Sequence, residues 1–155
     1  MNDQTILPIE QSARRRWMSA LARAPRERLE AAWAELGEGE KYTHLRPPET
    51  GLVMTRGRAG GNGQRFNLGE VTVTRAAVKL AFGEVVHAYV AGRDKRHAEL
   101  AAAFDALLQR QERHDVIERE LIEPLISNLT AARHEVALKA AATKVDFFTM
   151  VRGEG

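Results

Sequence analysis

Three arginines and a run of glycines are the first residues in this chain whose types and spacing point to chemistry. Arg56, Arg58 and Arg65 are interleaved with Gly57, Gly60, Gly61 and Gly63, glycines that let the backbone come close to a ligand. Guanidinium groups and exposed backbone N–H groups together suit phosphate. The spacing is neither GxxxxGK[ST] nor GxGxxG, and the stretch lies between expected strands, so no helix N-terminus helps to hold an anion. Two readings stay open: an anion or partner contact, or an exposed hairpin with solvated arginines.

A second polar cluster, Arg93-Asp94-Lys95-Arg96-His97, falls at an expected strand-to-helix junction. Arg93, Lys95 and His97 are further phosphate-binding candidates, and a His or Asp there could move a proton. The competing reading makes Asp94 a helix N-cap with the bases solvated. Of the five histidines, His44, His87, His97, His114 and His134, no two share a metal-ligand spacing, and there is no HExxH. No nucleophile elbow or carboxylate pair can be defended, so no catalytic or metal-ligating residue is assigned. A single Arg-Gly-Arg without a stacking platform argues against nucleic acid as partner.

These groups need elements to hold them. The 155 residues suffice for one domain, 1–155. Ser12 can cap a helix from Ala13 to Arg23, and Pro25 can open a second that ends near Gly37, giving an N-terminal helical hairpin. Tyr42–Arg46, Gly51–Arg58, Asn67–Leu80 and Glu84–Ala91 read as strands, with Pro47-Pro48 dividing the first two and Ala81 to Glu84 as a turn. With no helices between them, these four strands should be antiparallel. Leu100, Phe104, Leu107 and Leu108 then form the stripe of a helix beginning near Asp94. Pro124 argues against one unbroken helix through to Ala142, and Val116–Glu123 reads equally as helix or short strand. The expected class is α+β: an antiparallel sheet of about four strands, an N-terminal helical hairpin and C-terminal helices.

No cysteine is present, which excludes disulfides, thiolate metal sites and a cysteine-held iron–sulfur cluster in this chain. The first dozen residues lack the apolar core of a signal peptide and are expected to be flexible, and no apolar run is long enough to span a membrane. A cytoplasmic protein is expected. Net charge is +2, and Gly51 to Arg75 carries four arginines against Glu70 alone, so one surface is basic.

The chain end is apolar where termini usually are not. In an extended 144–155 tail, Val145, Phe147, Thr149 and Val151 face one side, and Asp146, Phe148 and Met150 the other. Burying each Phe is worth about 1.5–3 kcal/mol, and covering both sides at a terminus asks for a second protein. Phe147, Phe148, Met150, Val151 and Arg152 are therefore the partner-interface candidates.

Several stretches together resemble the PhnG family, subunits of the bacterial carbon–phosphorus lyase core complex. They are Arg14-x-x-Trp17-Met18, Glu49 to Val53, Gly60-Gly61-x-Gly63-x-Arg65-Phe66, Val73 to Val78, Gly92 to Glu99 and Val145 to Gly153. The resemblance implies a hetero-oligomer, two-fold in form, with PhnH, PhnI, PhnJ and PhnL-type subunits. It implies a part in turning ATP and an alkylphosphonate into α-D-ribose 1-alkylphosphonate 5-triphosphate plus adenine. The iron–sulfur cluster and S-adenosylmethionine of the later bond-cleaving step belong to PhnJ, so no cofactor is expected on this chain. No catalytic residue is carried over by the resemblance.

Overall fold

The computed structural model describes residues 9–81, 83 and 85–144. The interface candidates Phe147, Phe148, Met150, Val151 and Arg152 lie outside them.

The order of elements is α1 (Ile9–Leu21), α2 (Arg26–Leu36), β1 (Tyr42–Arg58), β2 (Arg65–Leu80), β3 (Val85–Ala91), α3 (Lys95–Leu108), α4 (Gln111–Ile117), a π-helical turn (Glu118–Ile122) and α5 (Glu123–Ala142). The class is α+β with an antiparallel sheet, in the order β1-β2-β3. Three strands replace the expected four. Tyr42 to Arg58 is one strand, and Pro47-Pro48 sits in a register irregularity between Arg46 and Glu49. β1 is an edge strand, where a residue without an N–H costs no ladder bond if that side faces outward. The β2–β3 turn forms as expected around Gly83, which takes φ +102° and donates its N–H to the Leu80 carbonyl.

The helical hairpin is also corrected. α1 packs on α3, α5 and the π-helical turn, and α2 packs on α3. α3 is why. Its sequence is Ala- and Leu-rich on all sides, and from His97 to Leu108 only Glu99 is not buried. A helix that is apolar all round belongs in the centre. It packs on the inward face of β2 and β3, where Thr74, Ala76, Val78, Leu80, Val86, Ala88 and Val90 alternate with outward residues. The sheet's other face has no helix on it among the described residues.

Past Glu112 the chain stays helical. Pro124 is carried at the start of α5, directly after the π-helical turn. Its missing N–H would in α register leave the Glu120 carbonyl without a donor, and Arg28 Nη2 donates to that carbonyl at 2.9 Å. Ala131 to Ala142, the distal half of α5, is exposed throughout.

β1 and β2 run on well past β3, whose last pair is Ala91 with Val73. The stretch from Leu52 to Val71 is thus a two-stranded arm, both its edges unpaired among the described residues, closed at its tip by a 3₁₀ turn at Ala59–Gly61. Of the twelve large apolar side chains exposed among the described residues, six are here: Leu52, Val53, Met54, Phe66, Leu68 and Val71.

Candidate functional site

Strand register, not sequence proximity, builds the most developed polar site. On the inward face Thr50 pairs with Thr74, and Thr74 with Val90. Thr74 is fully buried, and its hydroxyl donates to the Gly92 carbonyl at 2.8 Å. That uses its only proton, so in the 3.1 Å contact with Thr50 the Thr50 hydroxyl is the donor. Gly92, at φ +90°, returns its own N–H to the Thr72 carbonyl at 2.9 Å, a conformation that needs glycine. Two residues on, Asp94 caps α3 by accepting the His97 N–H at 2.9 Å, as the capping reading expects. Three separate stretches, Glu49–Val53, Val73–Val78 and Gly92–Glu99, are thereby joined into one unit.

On the open face the same register sets out two rows. Glu49, Arg75 and Tyr89 form one, and Arg46, Ala77 and His87 the other. The irregularities in β1 aim the first column. His44 faces inward against Val78 and reaches Glu99 at 3.1 Å, so strict alternation would turn Arg46 inward too. The extra residue Leu45 turns Arg46 out against Ala77, and the Pro47-Pro48 irregularity leaves Glu49 on that same face. Glu49 accepts from Arg46 Nη1 at 3.0 Å and from Nε and Nη2 of Arg75. Arg75, and after it Arg46, hold the Glu49 carboxyl below the usual carboxylate range. Glu49, with help from Tyr89, raises Arg75 further above its ordinary value.

Two shallow hollows flank this cluster. One of about 200 Å³ is lined by Arg46, Arg75, Ala76, Ala77, His87 and Tyr89. Its neighbour, about 230 Å³, shares Arg75 and Tyr89 and continues over Gly51, Val53 and Val73.

The residues expected from sequence are placed differently. Arg58 and Arg65 face each other at the tip of the arm, and Arg56 pairs with Asn67; all three are exposed. Arg93 and Lys95 are exposed at the β3–α3 junction. His97 turns inward from that junction, is 9% exposed, and its Nε2–H donates to the Leu21 carbonyl at 2.7 Å. Arg65 lies eight residues along β2 from Val73, where β3 ends, so the tip and junction groups are about 26 Å apart and do not meet. No spacing rule pointed to Arg46 and His87, because they come from different strands through a shifted register.

A second polar centre lies between α1 and α3. Asp105, 1% exposed, accepts from Arg14 Nε at 3.2 Å, Arg14 Nη2 at 2.7 Å and Trp17 Nε1 at 2.8 Å. This bond to Asp105 is the main reason Arg14 is raised above its ordinary value. The Trp17 ring meets His114 edge to face at 5.4 Å, and His114 Nδ1–H donates to the Leu108 carbonyl at 2.7 Å. A cleft of about 610 Å³ opens beside Arg14, Trp17, Gln109 and His114. Among the described residues no three His, Asp or Glu side chains gather as metal ligands, and no helix is long and apolar enough to cross a membrane.

The family model described as "Phosphonate metabolism protein PhnG" matches residues 12–153. The alpha-D-ribose 1-methylphosphonate 5-triphosphate synthase subunit PhnG of Rhizobium meliloti (strain 1021) is 49% identical over 141 residues, which cover 91% of this chain and 90% of that protein. The chain belongs to the PhnG family of phosphonate metabolism proteins.

Proposed function

We propose that this chain is a subunit of an α-D-ribose 1-alkylphosphonate 5-triphosphate synthase. In this role it works with PhnH-, PhnI-, PhnJ- and PhnL-type subunits in a two-fold cytoplasmic assembly that joins an alkylphosphonate to the ribosyl triphosphate of ATP and releases adenine. Its part is to hold the assembly together and to shape a site completed by other subunits. The name of the 49%-identical relative supports the reaction.

The arm is the observation that carries the subunit role. An isolated two-stranded ribbon is marginal in water, and open strand edges beside exposed apolar side chains invite pairing with another chain. Leu52 and Leu68 are each 63% exposed, on opposite faces of the arm, so both faces need cover. Phe147 and Phe148 in the tail pose the same demand in the sequence.

The test is to shorten the arm. Joining Val53 to Val71, a cross-strand pair, through Asn-Gly removes residues 54–70 and leaves the core strands intact. The shortened chain should fold with an unchanged thermal midpoint and fail to co-purify with the other subunits. Normal co-purification would reject the arm as the assembly contact. Deleting Val145 to Gly155 asks the same of the tail.

A further inference from the structure

We propose that the open face of the sheet carries an oxyanion site, formed by Arg46, Arg75 and His87 over Ala77, that takes the phosphonate or phosphate group of an organophosphorus ligand. The ligand class rests on the reading of the chain as a synthase subunit; the site itself rests on geometry.

Arg46, Ala77 and His87 stand side by side on three strands, with Arg75 next along β2. Neighbouring strands are about 4.8 Å apart, so Arg46 and His87 rise about 10 Å from each other on either side of a residue with only a methyl group. The hollow of about 200 Å³ is the space Ala77 leaves between them. A tetrahedral oxyanion there accepts from guanidinium, imidazole and phenol at once.

The arginines are held in place with donors to spare. A guanidinium has five N–H bonds. Glu49 uses Nη1 of Arg46 and Nε and Nη2 of Arg75, which leaves Nε and Nη2 of Arg46 for a ligand. Two guanidiniums against one carboxylate leave one positive charge in excess. Glu49 is thus both the clamp that orients the arginines and the anion a ligand must outcompete. Beneath, the bonds among Thr50, Thr74 and Gly92 fix the strands that carry the site. The adjoining hollow, lined by Glu49, Arg75 and Tyr89 as well as Gly51, Val53 and Val73, gives room to the rest of the ligand.

The experiment uses the full chain in the complex co-expressed with its partner subunits, with KM measured separately for methylphosphonate and for ATP. Arg46→Ala and His87→Ala should each raise one of these KM values about tenfold or more, the loss of a charge-assisted hydrogen bond. The substrate affected names the source of the oxyanion. Glu49→Gln should lower the same KM, because it removes the competing anion. Lys79→Ala, which removes a positive charge from the same face farther along β2, should change neither. The site is overturned if Glu49→Gln weakens binding as Arg46→Ala does, if no variant alters either KM, or if the variants no longer co-purify, which would make the cluster a protein contact. If the wild-type complex does not turn over methylphosphonate, it is the synthase reading that fails. The site is then judged by titrating the chain with inorganic phosphate: NMR shifts at the Ala77 and His87 amides support it, and their absence rejects it.

Discussion

Asp105 shows what one buried charge does in this chain. It is almost fully enclosed, yet its two oxygens take three N–H donors, from Arg14 and Trp17. Asp105→Ala would leave the Trp17 N–H without its partner inside the core and a guanidinium without its carboxylate. A lost buried pair costs about 3–5 kcal/mol, and because Arg14 is 39% exposed the expected loss is smaller, about 2–4 kcal/mol. Asp105→Asn keeps an acceptor for Trp17 and should cost about half as much; urea midpoints at unchanged slope check both. Glu49 is the opposite case, an exposed carboxylate whose ion pairs are screened by solvent. Its pKa is lowered by Arg75 first and Arg46 second. A depressed carboxylate contributes above its ordinary pKa, and the contribution is lost as pH falls through the depressed value. An NMR titration of the Glu49 carboxyl should therefore give a midpoint below the ordinary range. Arg75→Ala should raise that midpoint more than Arg46→Ala; the reverse order would contradict the geometry.

At the scale of elements, two proline sites divide what local rules can and cannot say. The Asp94 cap and the Leu100, Phe104, Leu107 and Leu108 stripe are legible because each depends on neighbours within two or three turns. Local rules make Pro47-Pro48 and Pro124 breaks, and the chain passes through both. At Pro47-Pro48 a register shift on an edge strand accommodates the two residues without N–H groups, and together with the irregularity at Leu45 it sets Arg46 and Glu49 on one face. That is why the cluster with Arg75 and His87 could not be seen in the sequence: it needs the shift to be known before the faces can be assigned. At Pro124 the remedy is Arg28, 92 residues from Glu120 in sequence, which donates to the carbonyl that Pro124 would in α register leave without a donor. This predicts a coupling. Arg28→Ala should cost about 1 kcal/mol in the native background. In a Pro124→Ala background the restored N–H can take over the Glu120 carbonyl, and the cost of Arg28→Ala should fall toward zero. Equal costs in both backgrounds, by denaturation, would show that Arg28 acts some other way.

At the scale of the whole molecule, the described residues bury their core on one side of the sheet and leave the extensions uncovered. α3 is sealed by the sheet and the other helices, while the arm and the distal half of α5 reach outward with Leu52, Leu68, Val136 and Leu138 each more than half exposed. Apolar side chains gathered on such extensions favour association with another molecule. Without its partners the 17.3 kDa chain should therefore associate with itself, with a light-scattering mass that rises with concentration. Leu52→Lys with Leu68→Lys places a charge on each face of the arm and should return the mass to that of one chain. The thermal midpoint should hold, since neither side chain is buried. Because self-association and assembly draw on the same surface, this variant should also lose the partner subunits on co-purification. An intact chain that stays monomeric at high concentration, together with a double variant that still binds its partners, would move the assembly contact away from the arm and toward α5 or the 144–155 tail.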